Sequence, residues 1–143
     1  MTAGDEPHQQ FTLTWWGPPE DLDDGFNCGE PTVGLGVLSL ALSHDDPWVI
    51  LPRVARALAS TDPTIRHQGK IFLAHVARLH RTTDRRCLEL LRDYHRGNEA
   101  NDDLWQFVPR HRLPWWLWRY QAPRSARHWL IAKLHGLHDR ERR

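Results

Sequence analysis

Apolar residues recur at helical spacing through the middle of the chain. Between Asp62 and His80, the residues Ile65, Gly69, Phe72, Leu73 and Val76 form one stripe at three- and four-residue intervals. Asp62 is placed to cap the helix. Pro63 takes the first helical position, where a missing N–H costs nothing. This pattern predicts a helix over residues 63–79. The segment before it, residues 47–59, repeats the arrangement with Asp46 and Pro47. Leu51, Val54 and Leu58 supply its inner face, and Pro52 in its second turn should bend it. A polar turn as short as Ser60–Asp62 obliges the two helices to pack antiparallel.

The same reading places a helix over residues 33–43, with a buried strand as the rival. Gly34 and Gly36 each weaken a helix there by about 1 kcal/mol relative to Ala. A fourth helix runs over 84–95, capped by Asp84, with Cys87, Leu88, Leu91 and Tyr94 inward; Arg96-Gly97-Asn98 closes it. A fifth covers residues 100–107, with Leu104 and Phe107 or Val108 on one side, and Pro109 stops it. Leu113–Trp118 reads as one short aromatic helix. Ser125 then caps a last helix over 126–137, with Ala126, Leu130, Leu134 and Leu137 on one face. Ahead of the helices, Phe11–Trp16 alternates apolar and polar residues, which predicts a short strand or an extended arm. Residues 20–31 are acidic and rich in turn formers and predict a loop. Residues 1–10 and the last five residues are expected to be disordered or frayed.

Leu58, Asp62, Ile65-Arg66, Gly69 and Leu73 together resemble the core of a HEAT-type repeat. In that motif a Leu precedes the turn and an Asp stands in it. A β-branched residue and an Arg follow, then a small residue and a Leu. Gly69 stands where the family usually has Ala, which should loosen the helix slightly. The wider run from Val33 to Val108, about half the chain, resembles short bacterial HEAT-like proteins of the kind that serve as immunity partners of secreted toxins. Asp46-Pro47-Trp48, His75-Val-Ala-Arg78-Leu-His80 and Ala100-Asn-Asp-Asp103-Leu carry that likeness. It implies an α-solenoid-like stack of antiparallel hairpins and a protein-binding role. Residues 1–31 and 109–143 lie outside the resemblance.

Composition narrows the choice further. At 143 residues the chain is sized for one compact domain with a real core. Its longest nearly apolar run, Val33–Leu42, is too short to span a bilayer, so no membrane partner is expected. The first residues have neither the basic nor the apolar part of a signal peptide. Two isolated cysteines, Cys28 and Cys87, fit a reduced cytoplasm.

The net charge of +1 conceals a polar layout. Residues 1–31 carry seven acids and no Lys or Arg, a net −7. Residues 32–108 are near balance, and residues 109–143 carry nine bases and two acids, a net +7. Either the acidic head lies against the basic tail within the fold, or one of them faces a partner of opposite charge. Eight tryptophans are several times the ordinary share. Four of them, Trp115, Trp116, Trp118 and Trp129, interleave with arginines in the tail. That mixture serves single-stranded nucleic-acid platforms and protein hot spots alike, and it also serves plain core filling with Arg stems over the rings. Trp115 and Trp116 are adjacent, so both cannot face inward on one helix.

No residue set stands out for catalysis. Asp45-Asp46 and Asp102-Asp103 sit beside helix starts, where capping accounts for them. Cys87 lies on an apolar stripe. His75 and His80 diverge around their helix. His128, His135 and His138 fall near one face of the last helix, and solvation is the expected state for them. No phosphate loop, zinc quartet or nucleophile elbow occurs. No catalytic residue, metal or cofactor is therefore assigned.

The expectation is an all-α fold of three parts within one compact domain: an extended acidic arm (1–31), a HEAT-like core of antiparallel hairpins (32–108) and a basic, Trp-rich helical cap (109–143). The expected function is non-catalytic binding of another protein, by the resemblance an immunity-type partner of a basic toxin. Glu20, Asp21, Asp23 and Asp24 are the recognition residues. The alternative is nucleic-acid binding through Arg110, Arg112, Trp115, Trp116 and Arg119.

Overall fold

The computed structural model describes the backbone of residues 10–140 and the side chains of residues 10–136. Over that range it is all-helical: α1 (Pro19–Asn27), α2 (Val33–Ser43), α3 (Pro47–Leu58), α4 (Pro63–His80), α5 (Arg85–Leu91), α6 (Glu99–Phe107), a 3₁₀ turn (Arg110–Arg112) and α7 (Trp115–Arg140). Four of the starts are set by side-chain caps. Asp46 accepts from the Trp48 N–H, Asp62 from Thr64, Asp84 from Cys87 and Asn98 from Asn101. Pro47 and Pro63 occupy the first turns of α3 and α4, as their sequence positions require.

α4 is the hub. It packs on α2, α3 and α6, and α3 in turn carries α5. The predicted inner residues Leu51, Val54, Leu58, Ile65, Phe72, Leu73 and Val76 are all buried, and so are Cys87, Leu88, Leu91, Leu104 and Val108. Phe107 and Tyr94 are only half-buried. Each large apolar side chain in this core contributes on the order of 1.5–3 kcal/mol.

Gly69 lies at a close contact between two helices. A Cβ added there would stand 2.9 Å from the Leu58 backbone nitrogen and 3.1 Å from the Ala57 carbonyl carbon. The glycine therefore lets the backbones of α3 and α4 touch. Gly36 plays the same part toward the head: a Cβ there would meet Leu22 Cδ2 at 2.4 Å and Phe11 Cδ1 at 2.8 Å. The helix weakness expected at that position is the cost of this close approach.

Four expectations are corrected. Residues 20–27 are not a loop, because Pro19–Asn27 forms α1, and only 28–31 stay irregular. Pro19 at a first-turn position, Glu20 and Asp21 in the first turn, and Leu22 at zero exposure anchor it. Phe11–Trp16 is neither strand nor free arm. The Trp15 N–H bonds back to the Thr12 carbonyl in a turn, Phe11 is buried with its N–H on Thr32 Oγ1, and the Trp15 carbonyl accepts from Ser39 Oγ at 2.6 Å. The tail is not two helices. α7 runs unbroken from Trp115 through Pro123 and Ser125. Ser125 does not cap it: its Oγ accepts from Trp105 Nε1 at 2.7 Å. The fourth predicted helix is also shorter than expected, ending at Leu91, with turns filling the way to Gly97 at φ 80°. The first nine and last three residues, including the expected disordered start, lie outside the described range.

Candidate binding surface

α7 is one continuous helix whose two halves have different surroundings. Its first turns are tied to α6 and the 3₁₀ turn. Leu117 is fully buried and Gln121 nearly so, with Gln121 Nε2 donating to Asp102 Oδ1 at 2.9 Å. Trp118 donates from Nε1 to the Arg110 carbonyl at 2.8 Å and stacks edge-on against Trp105 with ring centroids 5.1 Å apart. From Ala126 to Gly136 every described residue is exposed. Pro123, between the two halves, has no N–H to give to the carbonyl four residues back.

Helical spacing decides which way the outer half faces. The inward row that begins with Leu117 and Gln121 continues as His128 and His135, both exposed. The opposite row begins with Trp115 and Arg119, passes Ala122 and Ala126, and reaches Trp129, Leu130 and Leu134. Apart from half-buried Ala122 these residues are exposed, Trp115 at 76%, Trp129 at 61% and Leu134 at 64%. The apolar stripe assigned to the last helix therefore exists, but Ala126, Leu130 and Leu134 face solvent and not a core. The side chain of Leu137 lies outside the described residues. Lys133 Nζ covers the Trp129 ring at 4.7 Å, and Arg119 and Arg127 are exposed beside the stripe.

The other tail residues divide. Arg110 lies over the Trp105 ring at 4.4 Å, and Arg96 lies over Trp116 at 4.5 Å. The Arg124 guanidinium bonds to the Tyr120 hydroxyl. These rings and cations are one another's partners. Trp115, Arg112 and Arg119 stay open to solvent.

The acidic head is drawn in by α3. Asp23 Oδ2 pairs with Arg53 Nη2 at 2.8 Å, and Arg56 reaches the Asp23 carbonyl and Asn27 Oδ1. Asp21 is half-buried, whereas Glu20 and Asp24 are exposed. The partner of Asp23 is thus α3, not the tail. At this end of the molecule Trp16 is 81% exposed, Trp48 57% and Leu42 55%. Next to them Trp15, Trp16, Pro19, Leu40, Ser43 and His44 line a cavity of about 200 Å³.

Among the described residues no group of three or more His, Cys, Asp or Glu converges as a metal site would require. The side chain of His138 lies outside that range. Burial pushes the Cys87 thiol far up, with the Asp84 carboxylate adding to the effect, and its Sγ donates to the Leu51 carbonyl. Cys87 is a packing residue. A larger cleft of about 510 Å³ lies where the α3–α4 turn meets the chain after α5; Arg66, His67, Lys70, Tyr94 and His95 are among its walls. Among the described residues no helix is long and apolar enough to cross a membrane.

Sequence reasoning missed Trp129, Leu130 and Leu134 as surface residues. A signal was present: the row one would bury below Pro123 contains His128 and His135, so the helix could not continue the inward face it began with. No family model, no curated protein and no solved structure matches this chain.

Proposed function

We propose that the protein is a non-catalytic binding module that takes another protein on the outward stripe of α7. The observation that carries this reading is the outer half of that helix. Residues 126–140 extend for about 22 Å at about 1.5 Å per residue. An isolated helix of that length is marginal in water and draws its stability from packing an apolar face. Here the apolar side chains are Leu130 and Leu134 on the outward side with Trp129 on its flank, all exposed, and Ile131 is exposed further round the helix. Trp and flanking Arg are the residue types that dominate protein hot spots.

The HEAT-like assignment belongs to the same proposal. Asp62 as cap and Gly69 at the α3–α4 contact support it. An immunity-type role would instead place a basic toxin at the acidic head, steered by the exposed Glu20 and Asp24, apart from the α7 stripe. Nucleic-acid binding through the tail has less support. A stacking platform needs several bare ring faces; Trp116 is covered by Arg96, which leaves Trp115 as the one open ring of the named set, beside Arg112 and Arg119.

The test is affinity capture from the native host by wild type and by Trp129→Asp/Leu134→Asp. The reading expects a stoichiometric protein partner held by wild type and lost by the variant, with both chains equally folded by circular dichroism. Equal retention by both would overturn it.

A further inference from the structure

Large apolar side chains surface at two places on this molecule, and the two are opposite in charge. At one place Trp129, Leu130 and Leu134 lie among Arg119, Arg127 and Lys133. At the other, the stretch from residue 16 to residue 48 exposes Trp16, Leu42 and Trp48 and also the acids Glu20, Asp24 and Asp45. Only Leu79, among the described residues with a large exposed apolar side chain, is remote from both in sequence. The packing order separates them. α1 rests on α2 and α3, α2 on α4, α4 on α6, and α6 on α7, so the acidic head and the basic tail end opposite sides of that series. Within one chain Asp23 is satisfied by Arg53 of α3. Among the described residues the tail stripe and the acidic apolar end are therefore complementary surfaces at opposite sides of the packed series.

We infer that the occupant of the α7 stripe is a second copy of this chain, docking head to tail: the outer half of α7 lies on the Trp16–Leu42–Trp48 end of its neighbour. This rests on the reading of α7 as a binding surface and names the partner. Side-by-side pairing of two α7 helices would set one cationic tail against another and is disfavoured by the same charges. In the head-to-tail contact the apolar groups supply affinity. The opposed charges set orientation and speed of encounter, and salt screens them. A contact between two different surfaces also leaves each copy with one free end, so growth continues unless the rotation closes a ring.

Charge exchange tests this directly. The head set is Glu20→Arg, Asp24→Arg and Asp45→Arg; it spares Asp23 and Asp46, which hold the fold. The tail set is Arg119→Glu, Arg127→Glu and Lys133→Glu. Sedimentation velocity at low salt should give wild type a mass above the 16.8 kDa of one chain, falling as salt rises. Each set alone should weaken association by at least about tenfold. An equimolar mixture of the two variants should associate again, with the two chains alternating, because the native tail of one meets the native head of the other and the two reversed surfaces also match. A chain carrying both sets should associate again. The inference is overturned by a monomeric wild type, by a mixture that stays apart, or by a doubly reversed chain that fails to associate while folded by near-ultraviolet dichroism. Tail-dependent capture of single-stranded RNA or anionic vesicles by a monomeric wild type overturns it equally. If wild type is monomeric yet loses an unrelated protein partner through Trp129→Asp/Leu134→Asp, self-docking fails and the binding reading stands.

Discussion

The two longest helices of the molecule use their apolar residues in opposite ways. α4 spans 18 residues and buries Ile65, Phe72, Leu73 and Val76 against three neighbouring helices. α7 spans 26 residues, and only its start is held, by α6 and the 3₁₀ turn; Trp129, Leu130 and Leu134 remain in water. α4 keeps one apolar face along its length, whereas in α7 the inward row turns polar below Pro123, at His128 and His135. What separates them is whether the rest of the chain supplies a surface to cover the stripe. An apolar period thus reports a face that must be buried, and the burial can be within the molecule or between molecules.

Truncation should show the contrast most sharply on the α4 side. Leu73→Ala should cost about 2–5 kcal/mol, since Leu73 is fully buried and its removal leaves a cavity. Urea denaturation followed by far-ultraviolet dichroism measures this. A cost below about 0.5 kcal/mol would put Leu73 on the surface and erase the distinction between the helices.

Gly69→Ala is the second test. In a free helix the change would gain up to about 1 kcal/mol. Here the new methyl meets backbone atoms of α3 that cannot swing aside, an overpacking penalty of roughly 1–3 kcal/mol. The expected net result is a lower denaturation midpoint. A raised midpoint would mean that α3 and α4 do not approach as closely as described. The same helix pair is also where sequence and structure agree best. The caps Asp46 and Asp62, the prolines after them and the inner residues of both helices were all legible, because each is a local rule acting within one turn. The head and the tail were misread because their outcome rests on remote contacts. Nothing near Glu20 announces that Leu22, Phe11 and Gly36 will meet and hold α1. Nothing near Ser125 announces that Trp105 will take its hydroxyl and let α7 run on. Of the named site residues, Glu20, Asp24, Arg112, Trp115 and Arg119 are exposed as a binding role needs, whereas Asp23, Arg110 and Trp116 are occupied internally.

Asn101 tests how tolerant the α4–α6 side is. It is fully buried, and neither its side-chain oxygen nor its nitrogen has a protein partner, although its backbone N–H is bound by the Asn98 cap. Burying an unmatched amide costs about 1–3 kcal/mol. Asn101→Leu keeps the branched shape at a larger volume and removes the cost, so it should stabilise by about 1 kcal/mol. A destabilised variant would show that the amide is satisfied in solution.

On the α7 side the expected changes are small. Ending the chain after Ser125 removes the exposed outer half while keeping the Trp105–Ser125 bond. The unfolding free energy should then move by no more than about 0.5 kcal/mol, provided it is measured at a concentration where the chain is monomeric. Leu134→Ala should be equally quiet. A loss comparable to that of Leu73→Ala would show that the outer half packs on its own domain, and the binding surface would go with it.

The smallest effect concerns pH and sits at the centre of the α4–α6 contact. His75 is held below its ordinary pKa, first by partial burial and then by the Arg78 guanidinium, against an opposing pull from Asp103. Arg78 and Asp103 are themselves paired at 2.7 Å, which leaves the carboxylate little to offer the imidazole. The sign follows from linkage. The unfolded chain binds a proton at His75 near about pH 6.5, and the folded chain binds it only at lower pH. The preference for neutral His75 is therefore fully present above that value, and stability is lost as pH falls through it toward the lower folded value. The melting temperature should drop between about pH 7 and about pH 5, and His75→Gln should lessen the drop by keeping a neutral side chain in place. Asp103→Asn removes the one acid that favours the charged form, so it should push the His75 transition lower still in an NMR titration. A rise in the His75 pKa on that substitution would mean that the carboxylate acts mainly by holding Arg78 away, and the order of causes at this contact would have to be reversed.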